Sequence, residues 1–228
     1  MKYSLVILTY NEIDGVTALL DKIPYQAVDE VFVVDGGSTD GTIELFKRHT
    51  IRVIEQQSRK GRGEAFRIAA EHATGDVMIV FSPDGNEDPN DIPKFKHYME
   101  TTGADVVIAS RMMPGAHNEE DNSWWRIRKW ANNVFNWLAN ICFNRSGTYV
   151  TDSINGFRAI KLDLFKRLQQ DAVGYTIEYQ MTMRCFKAKK KIVEFPTYES
   201  ARIGGESYAK SIPTGIAFLK CLWHELVG

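Results

Sequence analysis

Apolar positions along the chain follow two alternating rhythms. Short runs rich in β-branched and aromatic residues, at 3–9 (YSLVILT), 30–35 (EVFVVD), 51–55 (IRVIE), 76–81 (DVMIVF) and 105–110 (DVVIAS), each predict a buried strand. Between them, EIDGVTALLDKI, GTIELFKRH, GEAFRIAAEHA and NDIPKFKHYMET place apolar side chains at helical spacing. Strand then helix, repeated, predicts an α/β fold: a mainly parallel sheet with helices on both faces. Ligands of such sheets bind at the carboxyl edge of the strands, where the polar clusters of this chain fall.

After residue 111 the rhythm changes. The polar stretch 112–123 (MMPGAHNEEDNS) reads as mobile, and 124–143 (WWRIRKWANNVFNWLANICF) as one long helix. A polar connection follows, then GFRAIKLDLFKRL and IEYQMTMRCFKAKKKIVEFP, a helix leading into a strand that ends near Pro196. Residues 200–212 read as a flexible lid and 213–228 as a C-terminal amphipathic helix. With no repeat and no long linker, 1–228 reads as a single domain.

Composition adds exclusions. The net charge is −1, which gives no basic surplus for nucleic acid. Cys142, Cys185 and Cys221 match no zinc or CxxC spacing and point to a reducing cytoplasm. The first apolar run is too short for a signal peptide, and none approaches the ~18 residues of a membrane span.

Two clusters carry candidate chemistry. TYNE (9–12) and DGGSTDGT (35–42) end the first two strands, and Asp35 stands where the second leaves the core. It reads either as part of a capped strand-to-helix turn or as an acceptor for a nucleotide base or ribose. No GK[ST] follows, so this is not a Walker loop. VFSPDGNEDP (80–89) runs a strand into Ser82, Asp84, Asn86, Glu87 and Asp88, a plain turn or a cation site.

VILTYNE, VVDGGSTDGT, KGRGEAFRIAAEHATGDVMIVFSPDG, INGFRAI and GGES, in this order from residue 3 to residue 210, resemble family-two glycosyltransferases of the Rossmann-like GT-A fold. Within them the pattern is similar to the dolichyl- or polyprenyl-phosphate mannose synthases. The resemblance implies an inverting, metal-dependent hexosyltransferase using a nucleoside-diphosphate sugar, GDP-mannose or a UDP-sugar, with Mg2+ or Mn2+. It places Thr9, Tyr10, Glu12 and Asp35 in the nucleotide pocket, with Lys60, Gly61 and Gly63 near base and phosphate. Read on its own, Gly63 before a helix exposes amide N–H groups to an anion; the alternative is a basic solvated turn. The family's Asp-X-Asp corresponds to Ser82, Pro83 and Asp84, so the first carboxylate is missing. Magnesium is often held by one or two protein carboxylates, so Asp84 alone is compatible with a cation, with Ser82 on a bound water and Asn86 as a neutral ligand. Glu87 and Asp88 either compensate or cap the next helix.

The acceptor divides on pKa. A saccharide hydroxyl needs a general base, for which VTDSINGFRAI offers Asp152. A lipid phosphate is already ionised and needs cations instead: Arg111, Arg128, Lys129, Arg158 and Arg202 are the candidates, and guanidinium forks suit phosphate. Glu178 either orients the loop of Arg158, touches the acceptor, or makes a structural ion pair. Trp124, Trp125, Trp130 and Trp137 beside Arg126, Arg128 and Lys129 read as an interfacial helix on anionic lipid, or as a core or homodimer helix. The expected acceptor is a polyprenyl phosphate at the inner face of the membrane. The alternatives are a glycan hydroxyl or a donor-binding homologue without catalysis. The lid would close over the donor on hinges at Gly204 and Gly205.

Overall fold

A computed structural model of the protein describes residues 1–57, 59–122, 124, 126–145, 147–204 and 211–228. The five expected strands form as β1 (Tyr3–Thr9), β2 (Glu30–Asp35), β3 (Arg52–Glu55), β4 (Val77–Phe81) and β5 (Val106–Ser110). Between them lie α1 (Ile13–Leu19), α2 (Thr42–Arg48), α3 (Arg62–His72) and α4 (Ile92–Thr102). The second half adds α5 (Ile127–Phe143), β6 (Arg158–Lys161), α6 (Leu162–Arg167), α7 (Ile177–Lys187), β7 (Ile192–Pro196) and α8 (Ser211–Val227).

The strands make one sheet in the order β3-β2-β1-β4-β6-β5-β7. Every neighbouring pair is parallel except those of β6, which runs antiparallel to both β4 and β5. Side chains alternate between two cores. Tyr3, Leu5 and Ile7 of β1 pack with α1, α2 and α4 on one face, while Val6 and Leu8 pack with α3, α5, α6, α7 and α8 on the other. Burial on both faces is why the strands read as continuous apolar runs rather than alternating ones.

β1, β2, β4 and β5 end at one edge, and β6 begins there. The strand order reverses between β1 and β4, which opens a crevice at that edge. Three expectations are corrected. β6 falls in a run assigned to a helix; its four residues divide between the cores, Ala159 on one side and Ile160 on the other, too short for a visible period. The described part of the stretch, 112–122, is tied to the rest of the fold rather than free. His117 bridges to Tyr198 and stacks on its ring at 4.2 Å, and Glu199 accepts from Asn118 Nδ2 at 2.7 Å. The long helix starts at Ile127 and α8 at Ser211. Trp125 and Gly205 lie outside the described residues.

Candidate active site

At the end of β2, Asp35 is fully buried, and its carboxylate ties two loops together. It accepts from Thr9 Oγ1 (2.8 Å), Gly37 N (2.7 Å), Ser38 N (2.7 Å) and Ser38 Oγ (2.6 Å). Those four bonds fill a carboxylate's acceptor positions. Gly37 has φ +93°, a backbone conformation that favours glycine, and Lys60 Nζ lies where its side chain would be. Tyr10 covers Gly36 with its exposed ring. Gly61, at φ +122°, caps α3 and donates its N–H to Gln56 Oε1 at 2.9 Å. Gly63 does not present a free amide as expected. It lies in the first turn of α3 with its N–H on Val173 O at 2.8 Å, and its missing side chain admits the 172–173 backbone.

Beyond β4 the turn tightens around Gly85 (φ +98°), against which Ile203 packs. Asp84 Oδ1 accepts from Asn86 N at 3.1 Å, and its Oδ2 from Arg202 Nη1 at 2.9 Å. Arg202 also grips Glu12, while its Nε is buried without a partner among the described residues. Burial pushes the Glu12 carboxyl up to about 7 against the pull of Arg202, and burial likewise raises Asp84. Segment 200–203 is zipped along this turn: Ile203 N donates to Asp84 O (2.8 Å), and Asn86 Nδ2 to Ser200 O (2.7 Å). The two acids after Asn86 part company. Asp88 accepts from Asn90 N at 2.9 Å as a helix cap, whereas Glu87 turns inward, lines the cleft and accepts from Ser82 N at 2.7 Å. Burial and the neighbouring Asp84 hold the Glu87 carboxyl well above its ordinary range.

From Ser82 and Asp84 a cavity of about 530 Å³ runs toward α5 and α8. It is lined by Arg62, Arg111, Arg128 and Arg202 together with the acids Asp84, Glu87, Glu119, Glu178 and Glu199, and α5 and α8 add Ala131, Phe135 and Phe218 beside Asn132 and Thr214. Arg111 is clamped by Asp152 (Nε to Oδ2, 2.8 Å; Nη2 to Oδ1, 3.0 Å) and by Glu199 (Nη1 to Oε1, 2.9 Å). Asp152 is 0% exposed, and it also accepts from the backbone N–H groups of Arg111 and Asn155. With its acceptor positions filled and no surface on the cleft, it cannot take a proton from a substrate; its role as a base is corrected to that of a mount for Arg111.

Arg158 is likewise removed from the acceptor-binding set. It is fully buried, donating to Ser153 O, Asn155 O, Glu178 O and Thr182 Oγ1, and burial lowers its guanidinium to about 10. It holds the loop of Asp152 and Asn155 in shape. Glu178 lines the cavity paired with Arg62, whose Nη1 donates to Ser82 Oγ at 3.2 Å. Arg62, Glu119, Tyr175 and Glu199 are cleft residues that sequence reasoning missed. Arg62 had a signal, a cation between two glycines in KGRGEA; the others sit in segments without periodicity.

Arg128 reaches the cavity but pairs with Glu119 at 2.7 Å, and Lys129 pairs with Asp121 outside it. Arg126 also faces Asp121, at 3.7 Å. The basic cluster of α5 is therefore largely neutralised. The outer faces of α5 and α8 remain apolar: Ile127, Trp130, Trp137 and Ile141 on one, Ile216, Leu219, Trp223 and Leu226 on the other, all exposed at helical spacing. No helix among the described residues is long and apolar enough to cross a membrane.

The chemistry of the turn is compatible with a hard divalent cation: Asp84 and Asn86 carry oxygen atoms that could ligate one, and the Arg202 guanidinium stands as a positive charge on Asp84.

The glycosyl transferase family 2 model matches residues 4–168. The chain is 30% identical to the undecaprenyl-phosphate mannosyltransferase of Micrococcus luteus over 221 residues, 91% of this chain and 87% of that one. It is 29% identical to the dolichol-phosphate mannosyltransferase of Pyrococcus furiosus, covering 92% of this chain but only 60% of that protein. Among solved structures, glucosyl-3-phosphoglycerate synthase from Mycobacterium tuberculosis in complex with Mn2+, uridine diphosphate and phosphoglyceric acid superposes with a TM-score of 0.77. That likeness spans 99% of this chain and 78% of the other at 20% identity, a likeness of fold.

Proposed function

The chain belongs to glycosyl transferase family 2, and from that premise we propose that it moves a hexose from a nucleoside-diphosphate sugar to a polyprenyl phosphate, with inversion. The observation that carries the acceptor is the cavity. Arg62, Arg111, Arg128 and Arg202 line it, each paired with an acid whose place an anionic head could take, and Ala131, Phe135 and Phe218 of α5 and α8 offer apolar contact for a tail. The names of the relatives from Micrococcus luteus and Pyrococcus furiosus support the same class of acceptor.

The donor's base and ribose would lie against the loops after β1, β2 and β3, among Thr9, Tyr10, Glu12, Lys60 and Gly61, with Asp35, its acceptor positions filled, tying the first two loops together from behind. Its diphosphate would reach the turn of Asp84. Held by Asp84 and Asn86, Mg2+ or Mn2+ would neutralise charge on the departing diphosphate. An acceptor phosphate oxygen forms its bond to the anomeric carbon as the bond to the diphosphate oxygen breaks. The phosphate is ionised at neutral pH, so no proton moves and no base is required. Arg111, fixed by Asp152 and Glu199, presents a preorganised charge for that phosphate. Arg202 brings the 200–204 segment onto the reacting groups and would exchange its partners when donor and cation arrive.

A saccharide-hydroxyl acceptor is less well served, because the expected base, Asp152, is sealed behind Arg111. The decisive experiment incubates the protein with Mn2+ and a panel of GDP- and UDP-hexoses, offering either a short polyprenyl phosphate or free saccharides. Mass spectrometry should find hexosyl-phosphoryl-polyprenol. Transfer to saccharides alone would overturn the proposal.

A further inference from the structure

We propose that Glu87 supplies the second protein carboxylate for the cation at Asp84, in place of the acid that position 82 lacks. The inference rests on the cation-assisted reading above.

The carboxylate has been moved along the chain rather than lost. Glu87 Oε2 accepts the backbone N–H of Ser82 at 2.7 Å, so the acid five residues later is anchored on the main chain of the position where the family's first aspartate stands. The tight turn that makes this reach feasible passes through Gly85 at φ +98°. Ser82, Asp84, Asn86 and Glu87 all line the same cavity.

The hydroxyl of Ser82 is a poor substitute for the missing acid, because Arg62 Nη1 donates to it at 3.2 Å. Asp88 is no substitute either, since its side chain caps Asn90. A separate observation marks the spot as one for positive charge. Arg202 lays its guanidinium on Asp84 Oδ2 at 2.9 Å, yet keeps a buried Nε without a partner among the described residues. Bridging Asp84 and Glu12, it shows that the acids here already accommodate a positive charge. Two carboxylates and one amide oxygen give a hard-oxygen set whose charge matches a divalent ion, with the remaining positions left to diphosphate oxygens and water.

Glu87→Gln isolates the charge, because the glutamine carbonyl oxygen still accepts the Ser82 N–H. Mn2+ is titrated by electron paramagnetic resonance in the presence of UDP or GDP, on the full chain. The Mn2+ dissociation constant should rise at least about tenfold in the variant. A change within about twofold would overturn the inference.

Ser82→Asp, with Glu87 intact, gives an independent reading that does not depend on how the first variant folds. If Glu87 already ligates, the added acid tightens Mn2+ by less than about threefold; tightening of about tenfold or more would show position 82 to be a real vacancy and refute the role of Glu87. The wild-type titration keeps the two readings apart. Absence of any mutual enhancement between Mn2+ and either nucleotide would bring down the proposed function together with this inference. Enhancement in the wild type with an unaffected Glu87→Gln variant removes the inference alone.

Discussion

Glu194 shows how a single side chain can hold a loop and make it sensitive to pH. From β7 it accepts the backbone N–H groups of Thr151 (2.7 Å) and Asp152 (2.8 Å), fixing the segment that mounts Arg111. Burial pushes its carboxyl up to about 7 from the ordinary 4.5, despite those bonds. A folded-state value above the unfolded one means the native state binds the extra proton. The associated stabilisation is complete below about 4.5 and is lost as pH rises through about 7. Glu194→Gln removes this dependence, so the variant should gain stability relative to wild type between about pH 5 and pH 8 in urea unfolding. A flat or falling difference would contradict the assignment. Arg158 teaches a related lesson. Its place in INGFRAI drew attention to an acceptor, but the structure spends its donors on backbone carbonyls inside the core.

At the level of elements, β1 to β5 and the helices between them were legible because each apolar run or helical period is bounded by turn residues. β6 was not, since RAIK runs directly into α6 with no turn residue between them. The anchoring of residues 117 and 118 was hidden for another reason: their partners, Tyr198 and Glu199, lie some eighty positions away. Within the candidate site, the sequence identified the turn of Asp84 and the cation Arg111, but not which acids face the cleft. That depends on the φ of Gly85 and on the engagement of the Asp88 side chain by Asn90. Gly63 is the sharpest contrast, since a glycine near a helix start suggested an anion site and proves to be a packing contact between α3 and the 172–173 backbone. Gly63→Ala would drive a Cβ into Ala172 O and should cost about 1–3 kcal/mol. Urea denaturation should show a lower midpoint with an unchanged slope; an unchanged midpoint would refute this account.

Across the molecule, α5 and α8 do two jobs at once. Their inner faces wall the cavity, and their outer faces present an apolar band that includes Trp130 at 71% and Trp223 at 67% exposure. Such a surface suits the interface of a bilayer. The double variant Trp130→Ser/Trp223→Ser should lower partitioning onto phosphatidylglycerol vesicles by about tenfold, while thermal unfolding stays within about 0.5 kcal/mol of wild type. Since Arg126, Arg128 and Lys129 are already paired with acids, that partitioning should respond only weakly to salt. Equal flotation of both proteins would count against the surface. The shared helix pair also alters what concentration means for the reaction. Were the mouth of the cavity to rest at lipid depth, a polyprenyl phosphate acceptor would arrive by sideways diffusion within a two-dimensional film, its tail never leaving hydrocarbon. Turnover would then follow the mole fraction of acceptor in that film, and diluting the suspension with buffer would leave it unchanged.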